Sequence, residues 1–139
     1  MKYLVFVLAC MVGLNSATLA EDGPKPFPFS KAVRVGNMLY LSGEIAFVGD
    51  TGKLVPGGIV PETRQTMDNI KATLEANGSD MDHVVKCLVM LADMSEWPAM
   101  NEVYRTYFTK RFPARSAMGA NGLALGARVE IECMAEIAD

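Results

Sequence analysis

From Val129 to Ile137 the chain alternates without a break: Val129, Ile131, Cys133, Ala135 and Ile137 are apolar, while Glu130, Glu132, Met134 and Glu136 lie between them. A period of two cannot form one apolar stripe on a helix, whereas on an extended strand it sends all five apolar side chains to one face. The segment is therefore a strand at about 128–137, with one face in a core and three carboxylates on the other. Whatever covers the apolar face must come from earlier in the chain.

The rest of the sequence supplies it. Ala32-Val33-Arg34-Val35 and Met38-Leu39-Tyr40-Leu41 are apolar-rich runs joined by Gly36-Asn37, a two-residue hairpin signal. A helix is expected near Pro61–Asn77, with Pro61 in its first turn, Met67, Ile70 and Leu74 as its stripe and Gly78 as its stop. His83–Leu91 reads as a strand with Val85, Cys87, Val89 and Leu91 on one face. A second helix, capped by Ser95 with Glu96 in its first turn, is expected to reach about Lys110 and to bury Met100, Val103, Tyr104, Tyr107 and Phe108. Strands at about 116–121 and 128–137 follow. This order predicts an α+β domain, a mixed sheet with two helices on one face, and it leaves the opposite face as a surface for subunit packing.

The chain has 139 residues and a formal net charge of −3. Half of the residues are hydrophobic, which suits one folded domain, and no basic cluster is present to bind nucleic acid by charge. Residues 1–20 carry Lys2, the apolar run Leu4–Val12 and small residues before Glu21, the layout of a signal peptide cleaved near Ala20. The apolar run is shorter than the roughly 20 residues that span a bilayer. Val7-Leu8-Ala9-Cys10 comes too early for lipoprotein processing. The expected product is residues 21–139, exported to the periplasm or medium and without stable membrane association. It opens on an extended arm with Pro24, Pro26 and Pro28 and retains Cys87 and Cys133. Both cysteines sit in apolar strand patterns, where buried free thiols are the expectation.

For chemistry, one histidine and two separated cysteines give no metal-ligand spacing, so no metal is expected. His83 reads as a surface residue at a strand start. The Gly49–Gly58 loop lacks the Lys-Ser/Thr ending of a phosphate loop. Arg115, in Phe112-Pro113-Ala114-Arg115-Ser116, stands out because a guanidinium entering a sheet needs an anion. Glu130, on the following strand, supplies one; the carboxylate of a small ligand would be another. A purely structural Arg115–Glu130 salt bridge is a third reading of the same pair.

Six segments in order resemble the successive signatures of the RidA (YjgF) family: Ala32–Asn37, Leu41-Ser42-Gly43-Glu44-Ile45, Thr63–Ile70, Asn101-Glu102-Val103-Tyr104, Phe112–Ser116 and Val129-Glu130-Ile131-Glu132. The resemblance spans roughly residues 28–137. It implies a chorismate-mutase-like fold, assembly as a homotrimer with pockets at subunit interfaces, and a cofactor-independent 2-iminobutanoate/2-iminopropanoate deaminase that hydrolyses enamine and imine intermediates to 2-keto acids and ammonia. In that reading Arg115 grips the substrate carboxylate and Glu130 positions the attacking water, with Phe29, Ser42, Gly43, Asn101 and Ala117 also at the pocket. The chain departs from the family pattern at Phe29, where a tyrosine is usual, at Ala117 for a cysteine, at Gly119 for an acidic residue and at Glu44 for a glutamine. A non-catalytic trimer that binds small carboxylates, or acts as a stress or interaction protein, is the alternative the same resemblance carries.

Overall fold

The computed structural model describes residues 27–49 and 51–138; the expected leader and the first part of the arm lie outside them. Strands β1 (Ala32–Val35) and β2 (Met38–Leu41) form the hairpin, turning at Gly36 with φ +60°. Helix α1 (Ile59–Ala76) follows, then β3 (Val84–Leu91), α2 (Trp97–Tyr104), β4 (Ala114–Gly119) and β5 (Val129–Glu136). The sheet order is β1-β2-β5-β3-β4, with β3 and β4 parallel and every other pair antiparallel. Both helices lie on one face, as the alternation in β5 requires.

The core is built from the face the sequence marked: Val129, Ile131, Cys133 and Ala135 of β5 are buried against Met67, Ile70 and Leu74 of α1 and Met100 and Tyr104 of α2. Burial of so many Leu, Ile, Val and Met side chains, each stabilising by roughly 1.5–3 kcal/mol, drives the packing. Helix α1 starts two residues before Pro61, with Gly58 at φ +88° preceding it, and stops at Gly78, φ +78°, where the Ser79 amide donates to the Leu74 carbonyl at 3.0 Å. Among the described residues no helix is long and apolar enough to cross a membrane.

Five expectations need correction. Val85 does not share the core face of β3: opposite Ala135 and Met134 stand Val84 and Lys86, so the strand bulges at Val85 and Val84 takes the buried position. Helix α2 ends at Tyr104 rather than near Lys110, continues as a 3-10 turn over Arg105–Tyr107, and Phe108 is extended. The Tyr107 hydroxyl donates to Asp68 Oδ1 at 2.7 Å, which ties this turn to α1. Ser95 is no cap: Asp93 caps the 3-10 turn Met94–Glu96 that leads into α2, accepting from the Ser95 amide at 2.9 Å, and Glu96 stands at the N-cap of α2 without a side-chain cap hydrogen bond. Strand β4 runs 114–119, two residues earlier than expected.

The cysteines give the fifth correction. Cys87 of β3 and Cys133 of β5 face each other directly, both about 1% exposed, and form a disulfide rather than two free thiols. Directly opposed positions on antiparallel strands lie close enough to bond, and this pair has a Cα–Cα distance of 4.1 Å.

A buried carboxylate fixes the start of β5. Glu62 of α1 accepts the Arg128 amide at 2.8 Å, and the Arg128 side chain forks onto both oxygens of Glu96, with Nε 2.8 Å from each. Arg128 thus ties the entry of β5 to α1 and to the turn before α2. Glu130, two residues on, inherits that position.

Candidate active site

Register decides what Arg115 and Glu130 can do. Strand β3 lies between their strands, so they are not on neighbouring strands. Arg115 pairs with Cys87, whose side chain is in the core, and therefore points to the helix face. Glu130 pairs with Met90 and points to the open face. Within one chain the two side chains occupy opposite sides of the sheet, which removes the structural salt bridge between them.

Arg115 is held without a carboxylate. One of its Nη atoms donates to Asn101 Oδ1 at 2.7 Å, and its guanidinium carbon lies 4.8 Å from the Tyr104 ring centre and 5.7 Å from that of Trp97. Among the described residues no acidic side chain comes within ion-pair distance of it. Stacking on aromatic faces orients a guanidinium while leaving its other N–H groups available for a planar anion. A cavity of about 320 Å³ opens beside it, lined by Asn101, Tyr104, Arg105, Phe112, Pro113 and Arg115. Burial pushes the Tyr104 hydroxyl up to about 12, with the Arg115 charge opposing, so the ring stays neutral.

Glu130 belongs to a second cavity, of about 610 Å³, with Phe29, Ser42 and Gly43 on its wall. Its carboxylate lies directly over Gly43, where any Cβ would collide with Oε1. The hydroxyl of Ser42 donates to the Ser30 carbonyl at 2.7 Å, and its amide donates to the Lys31 carbonyl at 3.0 Å, tying the segment after Phe29 to this wall. Gly43→Ala is expected to displace Glu130 and lower any activity that depends on it by about 10²-fold, the scale of an ångström's misplacement, with the melting temperature little changed. Steady-state kinetics beside a thermal melt check this.

The expected site residues thus fall into two groups. Asn101 joins Arg115, while Phe29, Ser42 and Gly43 join Glu130. Ala117 joins neither: it lies on the helix face of β4, packed against the core. Sequence reasoning missed Trp97 and treated Tyr104 as core alone; it missed Phe27, Ile45, Phe47 and Leu125 around Glu130. The proximity of Phe27 to Phe29 was a usable signal, and Leu125 carried none. His83 is engaged by Asp80, Nδ1 to Oδ1 at 2.7 Å, whose hydrogen bond also lowers the Asp80 pKa. Among the described residues no group of three or more His, Cys, Asp or Glu side chains converges to hold a metal.

Glu44 carries the other notable carboxylate. Its backbone bridges to Ile131 of β5, while its side chain turns to α1, where Asn69 Nδ2 lies 3.4 Å from Oε1. Burial raises its pKa above 4.5, with Lys31 and Asn69 opposing and Glu130 adding slightly. A raised folded-state pKa means that protonated Glu44 favours the fold. That stability is fully present below about pH 4.5 and is lost as pH rises through the raised value. Glu44→Gln should therefore raise the melting temperature by a few degrees at pH 7–8, with the gain over wild type vanishing toward pH 4.

Comparison with known proteins identifies the family. A family model described as Endoribonuclease L-PSP matches residues 23–137. The chain is 44% identical over 108 residues to a mouse 2-iminobutanoate/2-iminopropanoate deaminase, covering 78% of this chain and 80% of that protein. It is 42% identical to the human protein of the same name, covering 78% and 79%. Among solved structures, RidA from an Antarctic Psychrobacter superposes with a TM-score of 0.76 at 38% identity, covering 79% of this chain and 89% of that one. The YjgF gene product of E. coli gives 0.75 at 34%, covering 79% and 88%. The chain belongs to the RidA (YjgF) family, and its α+β fold is that of the family's solved members.

Proposed function

We infer that this protein is an imine deaminase, hydrolysing 2-imino acids such as 2-iminopropanoate and 2-iminobutanoate to the 2-keto acid and ammonia, in a site shared between two copies of the chain. The observation that carries the reading is the division of the site: an aromatic-seated arginine without an acidic partner among the described residues on one sheet face, and a carboxylate lining a cavity of about 610 Å³ on the other. Each is half of a hydrolytic site. A cyclic homotrimer of chorismate-mutase-like form, packed through the open sheet faces, would join Arg115 and Asn101 of one protomer to Glu130, Ser42, Gly43 and Phe29 of the next. Val33, Val35, Tyr40 and Met118 are exposed on that open face and suit such burial.

In this arrangement Arg115 receives the substrate carboxylate through two parallel N–H···O bonds. Glu130 accepts a proton from water as the water oxygen bonds to the imine carbon. Glu130 passes that proton to the imine nitrogen, giving the neutral carbinolamine; it then takes the carbinolamine hydroxyl proton and delivers it to nitrogen as the C–N bond breaks, so ammonia leaves and the hydroxyl oxygen becomes the keto oxygen. The imine carbon is already electrophilic, so orientation and one activated water supply the chemistry. The relatives' deaminase names support this assignment. The endoribonuclease name of the family model receives no support from the net charge of −3, which opposes binding of a polyanion. The leader-like composition of residues 1–20 and the Cys87–Cys133 disulfide support export with cleavage near Ala20.

The test is to generate 2-iminopropanoate in situ and follow its loss with residues 21–139 and with Glu130→Gln. Acceleration over buffer that Glu130→Gln lowers by about 10²–10⁴-fold supports the reading; no acceleration by the unaltered protein overturns it. The departures at Phe29 and Ala117 favour the second reading, a carboxylate-binding trimer without catalysis. That reading predicts Arg115-dependent binding of pyruvate with no effect on imine lifetime.

A further inference from the structure

We propose that Asn69 is a positioning residue for the reaction: from the helix side of the sheet it sets the wall on which the Glu130 carboxylate is seated. This deepens the deaminase reading and rests on it. Asn69 belongs to Thr63–Ile70, a family-like segment of α1 that contributes no side chain to the cavity beside Arg115 or to the one beside Glu130. Its amide nitrogen nevertheless donates to two backbone carbonyls in the wall of the Glu130 cavity, Ile45 at 3.1 Å and Phe47 at 3.0 Å. A carbonyl only accepts, so the nitrogen of the amide must be the atom that faces them. At the other end of the amide, Gln65 Nε2 donates to Asn69 Oδ1 at 2.9 Å from one turn earlier on α1. Both ends are engaged, and the orientation of the amide is fixed.

The segment it holds, residues 43–47, lies outside the five strands and meets β5 through one isolated bridge. There the Glu44 amide donates to the Ile131 carbonyl at 2.9 Å, and the Ile131 amide returns to Glu44 at 3.0 Å. Beyond the bridge the Phe47 amide donates back to the Ile45 carbonyl at 2.8 Å, a three-residue turn, and Ala46 accepts from the Val55 amide at 2.9 Å. Among the described residues the Phe47 carbonyl has no hydrogen-bond partner but Asn69. Removing that partner leaves a part-buried carbonyl unpaired, and the segment must shift to satisfy it. Gly43, at the start of the segment, lies so close beneath Glu130 Oε1 that no Cβ fits between them. A shift of the segment therefore moves the surface that seats the carboxylate, and a misplacement of about an ångström costs roughly 10²-fold in rate. Each of these contacts lies within one protomer, so a second copy covering the open face leaves them in place. Asn69 itself stands across the sheet from Glu130 and touches no reacting atom.

The experiment combines steady-state kinetics on 2-iminopropanoate generated in situ with crystal structures of the variants. Asn69→Ala should lower kcat by about 10–10²-fold, while KM, governed by the Arg115 grip, stays within about twofold. Gln65→Ala removes only the bond that orients the amide; it is the milder variant and should lower kcat several-fold. In both structures the Glu130 carboxylate should be displaced from its place over Gly43, by about an ångström in Asn69→Ala. Because the two changes act through one wall, adding Asn69→Ala to Gly43→Ala should cost no more than about a further twofold, whereas independent effects would multiply. A residue that only stabilised the fold would lower the melting temperature and leave kcat of the folded protein as it was. Unchanged kcat, or an unmoved Glu130, overturns the proposal. If the unaltered protein hydrolyses no imine, the deaminase reading falls, and the position of Glu130 in the two variant structures still decides whether Asn69 sets it.

Discussion

Arg115→Ala should abolish the acceleration of 2-iminopropanoate hydrolysis almost completely, lowering kcat/KM by roughly 10²–10⁴-fold. Two charge-assisted hydrogen bonds to a carboxylate, at about 1.5–3 kcal/mol each, account for that range. The fold should tolerate the change. Arg115 is half-buried at the edge strand of the sheet, and its contacts are one hydrogen bond to Asn101 and two aromatic faces. Arg115→Lys separates charge from geometry. Lysine keeps the positive charge but lacks the planar fork, so it should recover at most a small part of the activity. Kinetics of both variants beside their melting curves check this. Full activity in Arg115→Lys would mean that a point charge suffices and would remove the bidentate grip from the mechanism.

The second large effect concerns the disulfide. Cys87 and Cys133 join the two central strands, and 46 residues separate them in sequence. Cross-linking a loop of that size removes denatured-state entropy worth about 4 kcal/mol in the chain-entropy model, with measured values commonly 2–4. Replacing both cysteines by alanine should therefore cost about 2–4 kcal/mol in urea unfolding. Because both sulfurs are buried, reductant should act on the wild type only once it unfolds. An unchanged midpoint in oxidised and fully reduced protein, with free thiols verified by mass, would show that the bond contributes nothing to stability.

The architecture was legible because its apolar periods are regular. The alternation of β5, the Gly36-Asn37 turn and the Met67-Ile70-Leu74 stripe each required one local conformation, and each is found where it was expected. What failed was set by partners distant in sequence. Val85 leaves the core because β3 gains a residue against β5, and the turn after α2 is tied to α1 by the Tyr107–Asp68 hydrogen bond. The disulfide depends on the register that puts Cys87 opposite Cys133, which neither strand encodes alone. Arg115, Asn101, Glu130, Phe29, Ser42 and Gly43 of the candidate site were likewise legible, but not the aromatic and aliphatic side chains around them, nor their division. Alternation within a strand says which side chains share a face; it does not say which face of β4 matches which face of β5 once β3 lies between them. Arg115 and Glu130, on strands consecutive in sequence, are therefore separated by the sheet itself.

That separation makes the shared site directly testable. Arg115→Ala and Glu130→Gln proteins, each inactive alone, are unfolded together in equal amounts and refolded, and imine hydrolysis is then measured. If Arg115 of one protomer works with Glu130 of the next in a cyclic trimer, every mixed trimer regains one intact site. Random assembly should then restore about a quarter of the wild-type activity. Activity no higher than that of the separate variants, in a refolded mixture shown to contain mixed oligomers, would contradict the account.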